Sequence, residues 1–302
     1  TVGMDFRADV LVAWAQEGSI YTHLIRASGR SEATERVGPS EPDPQLQATV
    51  SDNNHAMVAW TSTREAPGAE PRTVVRVALS GVGVRFAGSA RVSVFDDPAR
   101  VGHLAGSLAL VRLAGENVML AWTERLADRY RVLAAPAVFA AARPPTVVTA
   151  PGEQGTLAGL AAGPANEAIV LWRRLGAEPS RSSEAALWSA RATFAVHDRV
   201  ALASIAQVSA EGSAVAPALA VNPGDDHAVV AWLGRSGVRY AVASGNAGYR
   251  PHAYVPPASG GGSHPVAAGV AGVLLIIIAA GWYLHVRRRR PRETPRVRRW
   301  PL

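Results

Sequence analysis

The chain has 302 residues, 48% hydrophobic and 18% charged, so it can build a core and is not a disordered polypeptide. The net charge of +7 belongs to residues 287–302, which hold eight arginines and one glutamate, while the other residues carry 23 arginines and 23 acidic side chains. This balance excludes a basic nucleic-acid-binding surface, and the absence of cysteine excludes disulfides, thiolate metal sites and a cysteine nucleophile.

Five segments of the first 257 residues share one pattern, a polar residue followed by a short aliphatic run that ends in tryptophan. Each run has the length of a strand and is bounded by turn-forming residues, so it predicts a buried β-strand. The segments are residues 8–14, 54–60, 116–122, 166–172 and 226–232. Because the pattern recurs every 46 to 62 residues, the body of the chain is a repeat protein.

The sequence around each tryptophan segment repeats as well. A second short apolar run and a turn, such as Asn222-Pro223-Gly224, precede four of the five segments. A third predicted strand follows every segment, at residues 21–26, 73–78, 130–134, 186–190 and 238–243, and weaker fourth strands are predicted at 91–95 and 146–148. Each repeat is therefore a meander of three or four antiparallel strands.

Three or four antiparallel strands about every 50 residues predict an all-β fold, a β-propeller of about five antiparallel blades over residues 1–255. The first blade starts near Val2, and a larger propeller of which these blades form part stays open. In a propeller each tryptophan packs between blades, contributing about 2–3 kcal/mol from burial. The alternative is a pair of β-sandwich domains.

The run LAVNPGDDHAVVAW at residues 219–232 resembles the repeat of bacterial secreted β-propellers in the broad sialidase-like superfamily. The similarity covers about 250 residues and implies an architecture rather than an activity. The aspartate box of sialidases, Ser-x-Asp-x-Gly-x-x-Trp, does not occur in the sequence, which weakens any transfer of a catalytic role.

No motif in the sequence predicts a catalytic, cofactor-binding or metal-binding residue, and we expect no cofactor. Asp225, Asp226 and His227 have the residue types of a metal or acid–base site, but turn chemistry explains them, and the same position of another repeat holds Asn53, Asn54 and His55. His103, His197 and His252 are isolated. The long loops after two tryptophans, residues 62–72 and 173–184, are the predicted contact surface for a protein or glycan.

The C-terminal part predicts a membrane anchor. Residues 256–265 form a Pro/Gly/Ser linker, and residues 266–286, VAAGVAGVLLIIIAAGWYLHV, contain no acidic residue and no arginine. A helix of that length spans about 31 Å, close to the hydrocarbon thickness of a bilayer. The rival interpretation, a buried core helix, is disfavoured because so long a soluble helix normally has a polar face.

The arginines at 287–290 predict the orientation of this helix. Clustered arginines mark the cytoplasmic side, so we expect residues 287–302 inside the cell, along anionic lipid, and the N-terminal domain outside. An N-terminal outside domain requires a signal peptide, so we expect that residues upstream of Thr1 were removed or are missing.

These expectations describe a single-pass membrane protein of the bacterial cell envelope with an extracytoplasmic propeller that binds or senses a ligand. A sialidase-like glycan hydrolase and a structural envelope protein are the alternatives. The sequence leaves the ligand, the oligomeric state and the total number of blades open.

Overall fold

A computed structural model places β-strands, and no α-helix, among the residues that it describes. The described residues are 1–5, 7–50, 55–64, 72–80, 86, 91–95, 102–113, 117–126, 129–138, 141–142, 145–164, 166–175, 186–195, 199–209, 215–222, 224, 226–234, 237–245 and 248–253.

The described strands form five antiparallel sheets, each made of strands that follow one another in sequence. The first sheet contains β1 (Val2–Met4), β2 (Val10–Gln16), β3 (Ser19–Ile25) and β4 (Glu35–Pro39). The second contains β5 (Leu46–Val50), β6 (Ala56–Arg64), β7 (Arg72–Leu79) and β8 (Arg91–Phe95). The third contains β9 (Gly102–Arg112), β10 (Val118–Leu126), β11 (Arg129–Val138) and β12 (Ala141–Ala142), and β13 (Thr146–Val147) also pairs with β11.

The last two sheets repeat this order. The fourth contains β14 (Gln154–Ala162), β15 (Glu167–Leu175), β16 (Ala186–Ala195) and β17 (Arg199–Gln207). The fifth contains β18 (Val215–Asn222), β19 (His227–Gly234), β20 (Gly237–Ser244) and β21 (Arg250–Ala253). The predicted all-β class and the strand–turn–strand repeat are confirmed.

The strand ends differ from the sequence prediction. Each of the five strands with a repeat tryptophan continues two to four residues beyond that tryptophan, because the hairpin pairing with the third strand continues there. The two predicted contact loops are therefore shorter than expected. Residues 62–64 and 72 belong to β6 and β7, and residues 173–175 belong to β15. Residues 65–71 and 176–184 lie outside the described part.

Apolar clusters lie between successive sheets and form the core. Buried side chains of the first and second sheets share one cluster, the second and third share another, and so do the third and fourth and the fourth and fifth. Each middle sheet thus packs on two neighbours, whereas a sheet of a β-sandwich packs on one. This arrangement is compatible with a β-propeller and does not fit a pair of sandwiches.

Four of the five repeat tryptophans lie between two sheets. Trp60, Trp122, Trp172 and Trp232 are at most 6% exposed, and each joins the cluster between its own sheet and the preceding one. Trp14 differs: it is only partly buried, its ring stacks on Tyr21 with centroids 5.9 Å apart, and its Nε1 donates to Gln16. The predicted packing between sheets holds for four tryptophans and is wrong for Trp14 among the described residues.

The predicted anchor is not part of the described structure. No helix within the described ranges has the length and apolar character needed to cross a bilayer. The linker at 256–265, the segment 266–286 and the tail 287–302 all fall outside those ranges.

Two of the buried tryptophans differ in one hydrogen bond, which allows a matched test. Trp60 Nε1 donates to the Pro39 carbonyl oxygen at 2.8 Å, whereas Trp172 Nε1 is buried with no partner among the described residues. We expect Trp60→Phe to lower the free energy of unfolding by about 1–3 kcal/mol more than Trp172→Phe does, because only the first change removes a made hydrogen bond. Urea unfolding of the full chain in mild detergent, followed by circular dichroism, measures the difference. Equal losses would show that the hydrogen bond adds nothing.

Candidate functional site

One turn recurs between the first two strands of the repeats, and it brings charged residues to the same end of the sheets. The residue six positions before the tryptophan has a positive φ in three described repeats, at Ala8 (66°), Asn166 (66°) and Asp226 (58°). Asn and Asp tolerate this left-handed conformation better than most residues, because their short side chains bond locally. Asp226 therefore lies in a turn, as its position in the repeat predicts.

Asp226 also takes part in an ion triad around a buried arginine, which the sequence did not predict. Arg191, on β16, is 7% exposed. Its Nη1 donates to Glu167 Oε1 at 2.8 Å, and its Nη2 donates to Asp226 Oδ1 at 2.7 Å and to the Gly245 carbonyl oxygen at 2.6 Å. Glu167 belongs to the fourth sheet, while Asp226 and Gly245 border strands of the fifth. The guanidinium thus ties two sheets together.

The carboxylates keep this guanidinium charged. Burial by itself would lower the pKa of Arg191, but the hydrogen bond to Asp226 and the charges of Glu167 and Asp226 raise that pKa above its usual value. Two carboxylates around one guanidinium leave the triad with a net charge of −1. An anionic ligand is therefore not favoured at this position.

A cleft of about 240 Å³ opens beside the triad, between the fourth and fifth sheets. Its apolar wall comes from small and aliphatic side chains of both sheets, and its polar groups come from the arginine and from hydroxyl side chains. The residues that define it are Ile169, Ser189, Arg191, Ile205, Ala243 and Tyr249. Apolar walls with a few oriented polar groups are the usual composition of a small-ligand site.

A β-bulge shapes one edge of the cleft. In the pairing of β16 with β17 the register shifts between Ser189 and Arg191, and Ser204 opposite them has a φ of 50°. The extra residue turns Ile205 outward, where 54% of it is exposed. Bulges of this kind redirect side chains and are common next to functional sites.

Tyr249 supplies a neutral hydroxyl to the same cleft. Burial raises the pKa of Tyr249, and a hydrogen bond with Ser189 and the charge of Arg191 oppose this effect without cancelling it. The phenol therefore stays protonated through the physiological range and is available to donate and accept hydrogen bonds.

The lining residues of the cleft offer hydroxyl groups and apolar surface. Ser189, Ser204 and Tyr249 are its hydroxyl-bearing residues, and none of the lining residues is a histidine that would act as their base. No group of three metal-ligating side chains occurs among the described residues. Hydrogen bonding and apolar contact are what this arrangement offers.

A second buried ion pair lies at the same end of the first sheet. Asp9 accepts hydrogen bonds from the Ala27 amide at 2.8 Å and from Arg26 Nη1 at 3.0 Å. The backbone hydrogen bond from Ala27, together with Arg26, lowers the pKa of Asp9 below its usual value despite burial. Here both partners belong to one sheet, so this pair holds a hairpin and does not join two sheets.

The structure does not gather the sequence candidates at one place. His252 is exposed and stacks on Tyr240 with centroids 5.1 Å apart, and His55 Nδ1 lies 3.5 Å from the Ser80 carbonyl oxygen.

Asp225 and His197 lie outside the described residues, as do Asn53 and Asn54. His103 is a residue of β9. His227 is the first residue of β19, and among the candidates that the structure describes Asp226 borders the cleft through its ion pair with Arg191.

The comparisons with known proteins leave the activity open. No protein-family model and no curated protein sequence matches the chain. Among solved structures, the chain is similar to an endo-arabinase from Bacteroides thetaiotaomicron VPI-5482, over 82% of this chain and 90% of that one, with 10% identity and a TM-score of 0.36. A likeness this distant assigns neither an activity nor a substrate.

The triad yields a stability prediction. Arg191→Met takes the cation away from two partly buried carboxylates, Glu167 and Asp226, whose side chains are 16% and 29% exposed, so we expect a loss of about 1–3 kcal/mol in the free energy of unfolding. Arg30→Met is the matched control: its side chain is 74% exposed and pairs with Glu32 at 3.6 Å, so the expected loss is below about 1 kcal/mol. Chemical denaturation of both full-length variants makes the comparison. Similar small losses would mean that the triad does not tie the sheets together.

Proposed function

We propose that this chain is a membrane-anchored binding protein whose residues 1–255 form an extracytoplasmic β-propeller at the bacterial cell envelope. The cleft beside Arg191 carries this proposal, because it combines apolar walls, neutral hydroxyls and charges already paired with each other. Such a cleft suits a neutral polar ligand, such as a glycan or a segment of another protein. The loops at 62–72 and 173–184 are proposed as a further contact surface.

The location follows from the C-terminal sequence. The apolar segment 266–286 is the proposed transmembrane helix, and the arginines of residues 287–302 are proposed to bind anionic lipid on the cytoplasmic side. The linker at 256–265 would let the propeller stand away from the bilayer. A propeller held outside the membrane in this way is suited to sensing or capturing envelope components.

The proposed orientation is testable because the chain contains no cysteine. We expect Ser28→Cys to react with a membrane-impermeant maleimide in intact bacterial cells, because Ser28 is exposed and lies in the outside domain. Arg299→Cys should react only after the cells are lysed. Labelling is read as a mass shift of the full chain on a gel. The reverse pattern, or labelling of neither variant until lysis, would contradict an outside domain.

The proposed ligand site is tested with a glycan array and the detergent-solubilised full chain. We expect binding to neutral oligosaccharides over acidic ones, and Tyr249→Phe should weaken binding about three- to tenfold, the effect of one hydrogen bond. Tyr240→Phe is the control, because that phenol stacks on His252 outside the cleft. Hydrolysis of fluorogenic glycosides by the same preparation would favour the glycan hydrolase instead. Binding that ignores Tyr249 would move the site elsewhere.

A further inference from the structure

The repeats allow the cleft beside Arg191 to be compared with equivalent positions in the same molecule. In each sheet one residue of the third strand pairs with the residue three positions before the repeat tryptophan. In the first three sheets that third-strand residue is buried and apolar: Leu24, Leu79 and Pro136. In the fourth sheet it is Arg191, which pairs with Ile169. The fourth sheet therefore departs from its own repeat at the residue that borders the cleft.

This departure has a cost that packing alone does not explain. A buried guanidinium needs compensating charge, and Glu167 and Asp226 supply it from two different sheets. An apolar residue at this position, as in the first three sheets, would need neither carboxylate. Positions where a sequence breaks its own structural pattern are typical of functional sites.

The cleft combines an apolar floor with neutral polar groups. Ile169, Ala228 and Ala243 are at most 6% exposed, form one cluster and line the cleft. Ser189 and Tyr249 line it as well and share a hydrogen bond. A matching ligand therefore carries a small apolar group next to a group that can form hydrogen bonds.

The hydroxyl pair fits a ligand group that both donates and accepts. Two hydroxyls joined by one hydrogen bond still have one O–H donor and several acceptor lone pairs. A secondary amide supplies the complement, an N–H donor and a carbonyl acceptor. Because Tyr249 stays protonated, this complementarity persists through the physiological pH range.

Charge restricts the ligand to a neutral group. The triad has a net charge of −1, which disfavours an anion. The group that faces the cleft from the triad is the Arg191 guanidinium, which disfavours direct contact with a cation. A methyl-bearing neutral amide, the acetamido group, satisfies both conditions and also matches the apolar floor.

The shape of the cleft favours a sugar unit over a peptide segment. Its volume of about 240 Å³ equals that of roughly eight water molecules at about 30 Å³ each, which is room for a single sugar unit. A peptide that docks along a strand needs a regular row of backbone groups. The bulge in the pairing of β16 with β17, next to Ser204, interrupts that row beside the cleft.

We propose that the cleft recognises the acetamido group of an N-acetylated sugar in a neutral glycan. The methyl group packs on Ile169, Ala228 and Ala243, and the amide forms hydrogen bonds with Ser189 and Tyr249. This inference rests on the proposed function, that of a ligand-binding propeller, and names the class of ligand that its cleft selects.

Two probes that differ only in the acetamido group test the assignment. Chitotetraose and cellotetraose share one backbone of β-linked glucose units, and each chitotetraose unit carries an acetamido group where cellotetraose carries a hydroxyl. Calorimetric titration of the full chain, in a detergent without sugar head groups, measures both affinities. We expect chitotetraose to bind about tenfold tighter or more, from one buried methyl group and one further hydrogen bond.

A matched pair of substitutions tests the apolar floor. Ala228→Ser places a hydroxyl in the floor, and we expect it to reduce the preference for chitotetraose to below about threefold. Ala168→Ser is the control, because Ala168 holds the same repeat position, four residues before its tryptophan, and is buried in the cluster between the third and fourth sheets. It should keep the wild-type preference. Circular dichroism checks that both variants keep their β structure.

Gly248→Leu tests the location without changing the floor. Gly248 lines the cleft, and a Cβ added there meets no described atom within 4 Å. The leucine should therefore abolish binding of both probes while the free energy of unfolding stays at the wild-type value. Undiminished binding by this variant would place the sugar outside the cleft and overturn the proposal.

The outcomes separate this proposal from the proposed function. Equal affinity for the two probes, with Tyr249→Phe still weakening both, would overturn the acetamido assignment and leave the proposed function in place. Binding of neither probe would contradict both. Preference for the deacetylated tetramer, which carries ammonium groups, would show that the charge of the triad selects the ligand instead. Competition by an alanine peptide as effective as chitotetraose would assign the cleft to protein rather than to glycan.

Discussion

The packing of a tryptophan from one sheet onto aliphatic residues of the preceding sheet is the interaction on which the rest of this structure depends. A four-stranded meander buries little surface by itself, so it needs a neighbour on each face. The indole ring fills the space between sheets that small side chains of the preceding sheet, such as Ala13 and Ala121, leave open. Every other contact between the sheets is added to this one.

Repetition of that contact gives each middle sheet two neighbours. A middle sheet supplies a tryptophan to the cluster on one side and aliphatic residues of the same strand to the cluster on the other, so both of its faces become buried. Trp14 is the exception among the five repeat tryptophans, because it stacks on Tyr21 of its own sheet.

The ion triad shows how a repeat turn acquires a local role. The turn before the tryptophan strand holds a residue with a positive φ at Ala8, Asn166 and Asp226, and in the fifth repeat that residue is an aspartate. At Asp226 the neighbouring sheet contributes Arg191, which is buried and needs compensating charge. The same arginine then forms part of the cleft, so the contact that joins two sheets also shapes the candidate site.

The sequence alone determined the class of fold, the five repeats and their order. The signals for strands and turns are local, because each depends on a short apolar run and on the turn-forming residues next to it. The sequence also determined that the apolar segment 266–286, with the arginines that follow it at 287–290, is the candidate for a membrane anchor. Only the tertiary structure decided that Trp14 packs on Tyr21 of its own sheet and that the tryptophan strands run beyond their tryptophans. It alone brought Glu167, Arg191, Asp226 and Tyr249 together, since these residues are up to 82 positions apart and no local pattern encodes which sheets become neighbours.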